Sequence, residues 1–138
     1  MIVGSSGFVG NYIMKTLAMK YPSVQVVGMS RSGRAREENT ANLSNVSYVK
    51  GNVLEPESFR EHLKDIDGVI HCVGTLIESR TDPKLSYNAM NRDSAINVAK
   101  VLNENGEKKG DHKKFVMISS EKAPPFLDAY LTSKFEAE

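Results

Sequence analysis

A tyrosine and a lysine in the run Tyr130-Leu131-Thr132-Ser133-Lys134 could carry out proton transfer. Residues four apart lie on the same face of a helix, so the phenol and the ammonium would be neighbours there. The positive charge favours the phenolate, which lets the phenol exchange a proton with a carbonyl or an alcohol near neutral pH. Spacing alone also allows the alternative of an exposed pair on a surface helix.

A serine precedes this run at the end of an apolar segment. Ser120 closes the segment Phe115–Ser120, which is predicted to be a strand. Ligands of open α/β sheets bind at the carboxyl ends of the strands. The Ser120 hydroxyl could therefore bond the same substrate oxygen as the phenol of Tyr130.

Three glycines near the start of the chain predict a phosphate-binding turn. Gly4, Gly7 and Gly10 stand at every third position, after the apolar Met1-Ile2-Val3 and before an amphipathic helix. The first allows a tight turn, the second lets the backbone approach a pyrophosphate, and the third lets helix and strand pack closely. The phosphates would lie on free N–H groups at the helix N-terminus. A plain turn is the alternative, but the position between strand and helix favours a dinucleotide.

Short apolar segments alternate with helical patterns along the whole chain. Helices are predicted from Phe8 to a stop before Tyr21-Pro22, from Pro56 with Phe59 and Leu63 facing inward, from Ser86 to Asn103, and from near Asp128. Strands are predicted over residues 1–3, 24–30, 46–49, 69–73 and 115–120. This alternation is typical of a doubly wound α/β fold, a parallel sheet of Rossmann type with the order 3-2-1-4-5. The lysine-rich segment Gly106–Lys114 is predicted to be a solvated loop.

Composition bounds the remaining classes of function. The 138 residues form one domain with 40% apolar and 25% charged residues, and the net charge of +1 gives no argument for nucleic acid or an anionic membrane. No apolar run reaches the roughly 20 residues that span a bilayer. The single cysteine, Cys72, and its neighbour His71 fall in a buried strand pattern, so no metal or disulfide site is predicted.

Five segments carry a resemblance to a known family. They are the G-x-x-G-x-x-G turn, Gly51-Asn52-Val53, the strand Asp67-Gly68-Val69-Ile70-His71, Asn91, and the run from Tyr130 to Glu138. In this order, over all 138 residues, the chain resembles the extended and atypical short-chain dehydrogenases/reductases, which are similar to NAD(P)-dependent epimerases and dehydratases.

The resemblance implies an oxidoreductase that transfers hydride between a nicotinamide and a small carbonyl or alcohol substrate. Tyr130 would be the acid/base, Lys134 its activating cation and a ribose ligand, and Ser120 the hydroxyl that orients the substrate. Asn52 stands where the family has an aspartate that accepts from the adenine amino group, and its amide oxygen can still accept. The implied dinucleotide ligands are Gly4, Ser6, Gly7, Phe8, Val9, Gly10, Arg31, Asn52, Val53, Cys72, Val73, Gly74, Asn91, Tyr130 and Lys134.

Cofactor choice is predicted from the end of the second strand. Members of the family that use NAD carry a carboxylate there for the ribose hydroxyls, whereas this chain has Ser30-Arg31-Ser32-Gly33-Arg34. A 2′-phosphate would find cations and no repulsion, so NADP is preferred and NAD remains possible. Arg31 is the better candidate of the two arginines.

Within the family, the chain most resembles a mitochondrial subgroup. That subgroup includes the dehydrogenase-like accessory subunit of respiratory complex I and a fungal protein of coenzyme Q synthesis. The resemblance therefore implies a second hypothesis, a non-catalytic subunit that holds a dinucleotide within a mitochondrial assembly. It also suggests the mitochondrial matrix as the location, with the cytoplasm as the alternative.

The family normally continues with further strands and a small substrate lobe. We therefore expect residues 1–138 to be the N-terminal part of a longer protein, or a partner chain to cover the edge of the fifth strand. The substrate itself is not predicted, because the residues that would select it lie in the loop Glu121–Leu127 or beyond Glu138.

Overall fold

The computed structural model describes residues 1–79, 81–106, 113–123 and 125–138, which form a five-stranded parallel sheet with helices on both faces. Along the sheet the strand order is β3-β2-β1-β4-β5, and every neighbouring pair is parallel. This confirms the predicted doubly wound α/β fold and its order. The strands are β1 (Ile2–Val3), β2 (Val26–Ser30), β3 (Val46–Lys50), β4 (Gly68–His71) and β5 (Lys114–Met117).

The central strand divides the core into two layers. Ile2 packs on one face with Met14 and Ala18, and Val3 packs on the other with Phe59 and Leu63. Successive side chains of a strand point to opposite faces, so even this short strand contributes to both layers. Its two residues are 2% and 0% exposed. The strand that precedes the glycine turn is therefore held at the centre of the molecule.

Within the described ranges four α-helices flank the sheet: α1 (Phe8–Lys20), α2 (Glu38–Ala41), α3 (Ser94–Glu104) and α4 (Asp128–Phe135). Helix α1 ends before Tyr21-Pro22, as predicted, since the residue before a proline avoids the helical region. Phe8, in the apolar pattern that predicts this helix, is 77% exposed. The buried residues of α1 are Gly10, Asn11, Met14 and Ala18.

Three predicted elements differ in form from the structure. The helix expected after Pro56 is two separate 3-10 turns, Pro56–Ser58 and Glu61–Leu63, although Phe59 and Leu63 are fully buried as predicted. The Ser58 hydroxyl donates to the Glu55 carbonyl at 2.7 Å, and such local side-chain bonds compete with a continuous helix.

The long helix expected from Ser86 begins instead as a π-helical segment, Asn88–Asp93, which continues directly into α3. Strand β5 ends at Met117, so Ser120 lies three residues beyond its end rather than within it. Of the predicted loop Gly106–Lys114, residues 107–112 lie outside the described residues and Lys114 begins β5. In the part of the chain that the structure describes, no helix is both long and apolar enough to cross a bilayer.

Candidate functional site

The glycine turn connects β1 to α1 through a conformation that requires glycine. Gly4 has a φ of +86°, which L side chains rarely adopt, and its N–H donates to the Met29 carbonyl at 2.9 Å. A Cβ on Gly10 would lie 2.3 Å from the Gly4 carbonyl oxygen. The first turn of α1 thus packs against the loop at a distance that only a glycine permits.

A groove of about 250 Å³ lies beside this turn, over the carboxyl ends of β1, β2, β3 and β4. The glycine turn lines one part of the groove, and the residues that follow β3 and β4 line other parts. Its lining residues are Gly4, Ser6, Gly7, Met29, Ser30, Arg31, Gly51, Asn52, Val53, Leu54, Cys72, Val73, Gly74, Asp82, Lys84, Leu85 and Met90. The structure therefore brings together nine of the predicted dinucleotide ligands from four loops.

Asn52 lines the β3 end of this groove in a fixed conformation. The Asn52 N–H donates to the Ser58 hydroxyl at 2.9 Å, and the Asn52 carbonyl accepts from the Glu55 N–H at 2.8 Å. The side-chain oxygen Oδ1 accepts from the Leu54 N–H at 3.2 Å. Backbone and side chain are both anchored, so the amide has one orientation at the groove.

A second cavity of about 360 Å³ adjoins the β3 end and shares Arg31, Gly51 and Asn52 with the groove. Lys50 lines it opposite Arg31. Gly33, at a φ of +63°, turns the Arg31 loop back so closely that a Cβ there would lie 3.0 Å from the Lys50 N atom. Among the described residues neither cation is in an ion pair. The subsite is thus lined by two positive side chains, together with the carboxylate-bearing Glu55.

Tyr130 and Lys134 lie on α4, beside the β4 end of the groove. Lys134 is only 5% exposed, and its Nζ donates to the Ile118 carbonyl at 3.0 Å. Burial lowers the pKa of this amine, and the neighbouring Cys72 thiol opposes the shift by a smaller amount. The Tyr130 ring is half-buried and meets the Tyr87 ring edge-on at 6.0 Å between centroids. The pair is therefore not the exposed surface pair that spacing alone allowed.

Gly74 links this pair to the groove. It lines the groove, and a Cβ at Gly74 would lie 3.0 Å from both Lys134 Nζ and Asn91 Oδ1. The absence of a side chain at this position leaves the amine next to the groove wall. Lys134 itself does not line the groove, but Gly74 lies between its amine and the groove.

Asn91 is fully buried and joins the loop after β4 to α4. Its Oδ1 accepts from the Thr75 N–H at 2.8 Å, and its Nδ2 donates to the Thr75 carbonyl at 3.2 Å and to Ser133 Oγ at 3.1 Å. Ser133 in turn donates to the Tyr130 carbonyl at 2.7 Å. The side chain that sequence reasoning offered as a dinucleotide ligand is thus bonded to the protein on every side, and it positions the loop after β4.

His71 ends β4 beneath these groups and is 1% exposed. Its Nε2 lies 3.3 Å from the Ser94 hydroxyl, and that hydroxyl donates to the Met90 carbonyl at 2.6 Å. Among the described residues His71 Nδ1 has no hydrogen-bond partner. Burial, reinforced by the charge of Lys134, lowers the pKa of His71 to about 4. The ring is consequently neutral at physiological pH, and among the described residues only one of its two nitrogens has a hydrogen-bonding neighbour.

Cys72 is half-buried in the groove wall. Burial raises the pKa of its thiol to about 11, with a smaller opposing contribution from Lys134. A thiol is a weak nucleophile and a weak metal ligand. Within the described residues no cluster of three potential metal ligands occurs.

Some predicted site residues lie apart from the groove. Phe8 and Val9 are exposed on the first turn of α1, and neither lines the groove. The Ser120 hydroxyl donates to the Lys122 carbonyl at 2.8 Å, so it contacts its own loop rather than Tyr130. The roles of Phe8 and Val9 in cofactor binding and of Ser120 in orienting the substrate stay predictions.

Sequence reasoning missed four charged residues of the site: Lys50, Glu55, Asp82 and Lys84. Lys50 follows the last apolar residue of β3, a position that could have been read as the strand's carboxyl end. Lys84 lies in a 3-10 turn, Pro83–Leu85, whose first N–H groups are capped by Asp82. Nothing in the local sequence indicates that this turn folds over the groove.

Comparison with known proteins places the geometry in a family. The sequence model of the "NAD dependent epimerase/dehydratase family" matches residues 1–134. Among curated proteins, "MIOREX complex component 2" of Saccharomyces cerevisiae is 26% identical over an alignment of 180 residues, which covers 100% of this chain and 64% of the yeast protein. This chain therefore spans less than two thirds of that relative's length.

Solved structures share the fold. UDP-glucuronic acid 4-epimerase from Bacillus cereus, in complex with NAD, superposes with a TM-score of 0.73 at 19% identity, covering 99% of this chain and 48% of the epimerase. Yeast methylglyoxal/isovaleraldehyde reductase, complexed with NADPH, gives a TM-score of 0.75 at 18% identity, covering 99% of this chain and 49% of the reductase. One of these structures holds NAD and the other NADPH, so the fold itself does not select between the two.

Proposed function

The chain belongs to the NAD dependent epimerase/dehydratase family, and on that premise we propose that it is an NADP-preferring oxidoreductase of the short-chain dehydrogenase/reductase type. Its substrate class is a small carbonyl compound or the corresponding alcohol. Family membership supports a domain that binds a nicotinamide dinucleotide. The choice of NADP and the chemistry of Tyr130 and Lys134 are the parts that require experiment.

The observation that carries the proposal is the contact between groove and amine at Gly74. The groove lies beside the N-terminus of α1, where the helix dipole favours the pyrophosphate, and it has cations at its β3 end. At its β4 end Gly74 lies against Lys134 Nζ. A dinucleotide whose phosphates bind at Gly4–Gly7 would extend toward this end with its nicotinamide half.

The residues then divide the work of a carbonyl reduction. When bound, the dinucleotide supplies a hydride from nicotinamide C4 to the carbonyl carbon. The Tyr130 phenol donates its proton to the carbonyl oxygen, so that C=O becomes CH–OH and the tyrosine is left as a phenolate. The Lys134 ammonium stabilises that phenolate, and Ser120 would have to exchange its bond with Lys122 for one to the substrate oxygen. Alcohol oxidation is the same sequence in reverse.

Two cations support the preference for NADP. Arg31 and Lys50 line one subsite next to the end of β2, where the adenosine ribose is held in this fold. A 2′-phosphate there would form charge-assisted hydrogen bonds with both. Glu55 lines the same cavity, and its carboxylate would have to turn away from the phosphate.

A second candidate is a non-catalytic, dinucleotide-holding component of a protein complex. It is favoured by one observation, the similarity to a yeast protein that is named as a component of a complex. A location in mitochondria is proposed with it, from the subgroup that the sequence resembles. Both candidates use the groove, but only the oxidoreductase needs the Tyr130 phenol.

The test is Tyr130→Phe, with Tyr12→Phe as the matched control because Tyr12 is 68% exposed on α1. Oxidation of NADPH would be followed with a panel of small aldehydes and ketones. We expect Tyr130→Phe to lower kcat by about 10³-fold while the Kd for NADPH stays within about twofold. Unchanged turnover in Tyr130→Phe would remove the phenol from the mechanism. Wild-type protein that binds NADPH stoichiometrically, does not exchange it and turns over no substrate would favour the second candidate.

A further inference from the structure

We propose that Asn52 presents a hydrogen-bond donor to the base of the bound dinucleotide, and so accepts a 6-oxopurine at least as well as adenine. The inference rests on the proposed function, since it concerns the same groove. It assigns a selectivity that differs from the one the sequence suggests, in which the amide oxygen accepts from the adenine amino group.

The position of the base follows from the geometry of the groove. The pyrophosphate belongs at the glycine turn, where free N–H groups and the dipole of α1 favour negative charge. In this fold the adenosine ribose lies at the end of β2. The next loop along the sheet in that direction follows β3, and Gly51, Asn52 and Val53 line the groove there. The base therefore lies against Asn52.

The orientation of the Asn52 amide is fixed by a neighbouring backbone donor. The Leu54 N–H points at one end of the amide, at 3.2 Å. An N–H can be accepted by oxygen but not by an NH₂ group, so the inner atom is Oδ1. The outer atom is consequently Nδ2, for which no hydrogen bond to a described residue is present. The bond from the Leu54 N–H favours this orientation of the amide, and the Asn52 backbone that carries the side chain is itself hydrogen-bonded.

An aspartate in the same conformation would behave in the opposite way. Its inner oxygen would accept from Leu54, and its outer oxygen would be free to accept from the adenine 6-amino group. In this chain the outer atom is a donor, which opposes the 6-amino group and suits an acceptor. Hypoxanthine has such an acceptor, the oxygen at C6, in place of the amino group. Two donors that face each other, the Asn52 amide and the adenine amino group, leave a polar group without a partner. This cost should give a measurable difference in affinity between the two bases.

The experiment compares NADPH with its deaminated analogue, which has a hypoxanthine base. The two differ at C6, where an oxygen replaces the amino group, and at the adjacent N1, which carries a hydrogen only in hypoxanthine. The N1 difference is the same for wild type and variant, so a change in the ratio between them reports on Asn52. Binding would be measured by fluorescence of the nicotinamide, which both carry, in wild type, Asn52→Asp and the control Asn103→Asp. Asn103 is exposed on α3, so the control adds the same charge away from the groove. We expect wild type and control to bind the hypoxanthine dinucleotide at least as tightly as NADPH. Asn52→Asp should shift the ratio toward NADPH by about tenfold.

The outcomes separate this inference from the proposed function. Wild type that prefers NADPH by about tenfold or more overturns the inference, and so does a ratio that is the same in Asn52→Asp as in wild type. If wild type binds neither dinucleotide, both this inference and the proposed function are wrong. Because the wild-type ratio is informative by itself, the inference remains falsifiable even if Asn52→Asp does not fold.

Discussion

The two halves of the candidate site are built in different ways. The dinucleotide half comprises β1, β2, β3, α1 and the glycine turn. Its turn depends on two glycines, through a positive φ at Gly4 and a close approach at Gly10. The reaction half comprises β4, β5, the segment Asn88–Glu104 and α4. It depends on buried polar side chains that join distant parts of the chain, such as Asn91 to Ser133.

The two halves differ in the changes that they tolerate, namely added side-chain volume and a change of pH. A backbone-built site depends on the absence of a side chain, so it is sensitive to added volume but insensitive to pH. A site built from His71, Asn91 and Lys134 depends on hydrogen bonds and protonation states in a buried environment, where an unpaired group is costly. Its outer strand β5 is also less covered, with Val116 55% exposed. Three predictions test this comparison.

The largest expected effect is on the dinucleotide half. Gly10→Ala places a Cβ 2.3 Å from the Gly4 carbonyl oxygen, so either α1 or the turn must move. We expect a loss of about 3 kcal/mol in the free energy of unfolding, and loss of NADPH binding, measured by urea denaturation and nicotinamide fluorescence.

The control is Gly68→Ala in β4 of the reaction half. A Cβ there would meet Lys114 at 3.4 Å, an ordinary contact, so stability should change little. Equal losses in the two variants would contradict the idea that the glycine turn is more sensitive to added volume than the strand position of Gly68.

The second prediction concerns acid sensitivity of the reaction half. Folding lowers the pKa of His71 from 6.5 to about 4, so between these values the unfolded chain binds a proton that the folded protein does not. Stability therefore falls as the pH is lowered through this window, by on the order of 3 kcal/mol. His71→Gln retains a donor for Ser94 and should remove this part of the loss, as measured by urea denaturation at pH values across the window.

His62→Gln is the control, since His62 is exposed. It should retain the wild-type loss of stability in acid. A His71→Gln protein whose stability falls with pH as steeply as wild type would mean that other buried groups cause the loss.

The smallest expected effect is on cofactor choice in the dinucleotide half. Arg31→Gln and Lys50→Gln each remove one cation from the subsite beside the end of β2. Each should weaken NADPH relative to NADH by about tenfold, because charge-assisted bonds to a phosphate are lost. Binding titrations with both cofactors measure the ratio. If Lys84→Gln, on the opposite side of the groove, changes the ratio equally, the phosphate is not read at Arg31 and Lys50.

The dinucleotide half was the more predictable of the two. The glycine spacing identified the turn, and apolar alternation identified the strands and their order, because both signals are local in sequence. The prediction was wrong at Pro56, where hydrogen bonds of Ser58 interrupt the expected helix, and the apolar Phe8 at the start of α1 is exposed. In the reaction half, Tyr130 and Lys134 were found by helical spacing, but the burial of Lys134 and its bond to Ile118 were not.

By itself the sequence determined the family, the doubly wound sheet and the location of the glycine turn, because periodicity and glycine spacing act between residues close together in the chain. Only the tertiary structure decided which way the Asn52 amide faces, that Asn91 is bonded on every side by protein groups, and that Lys50 joins Arg31 at one subsite. These depend on hydrogen-bond donors and packed surfaces supplied by other loops. No local pattern encodes such a contact, since it exists only once the strands have placed those loops side by side.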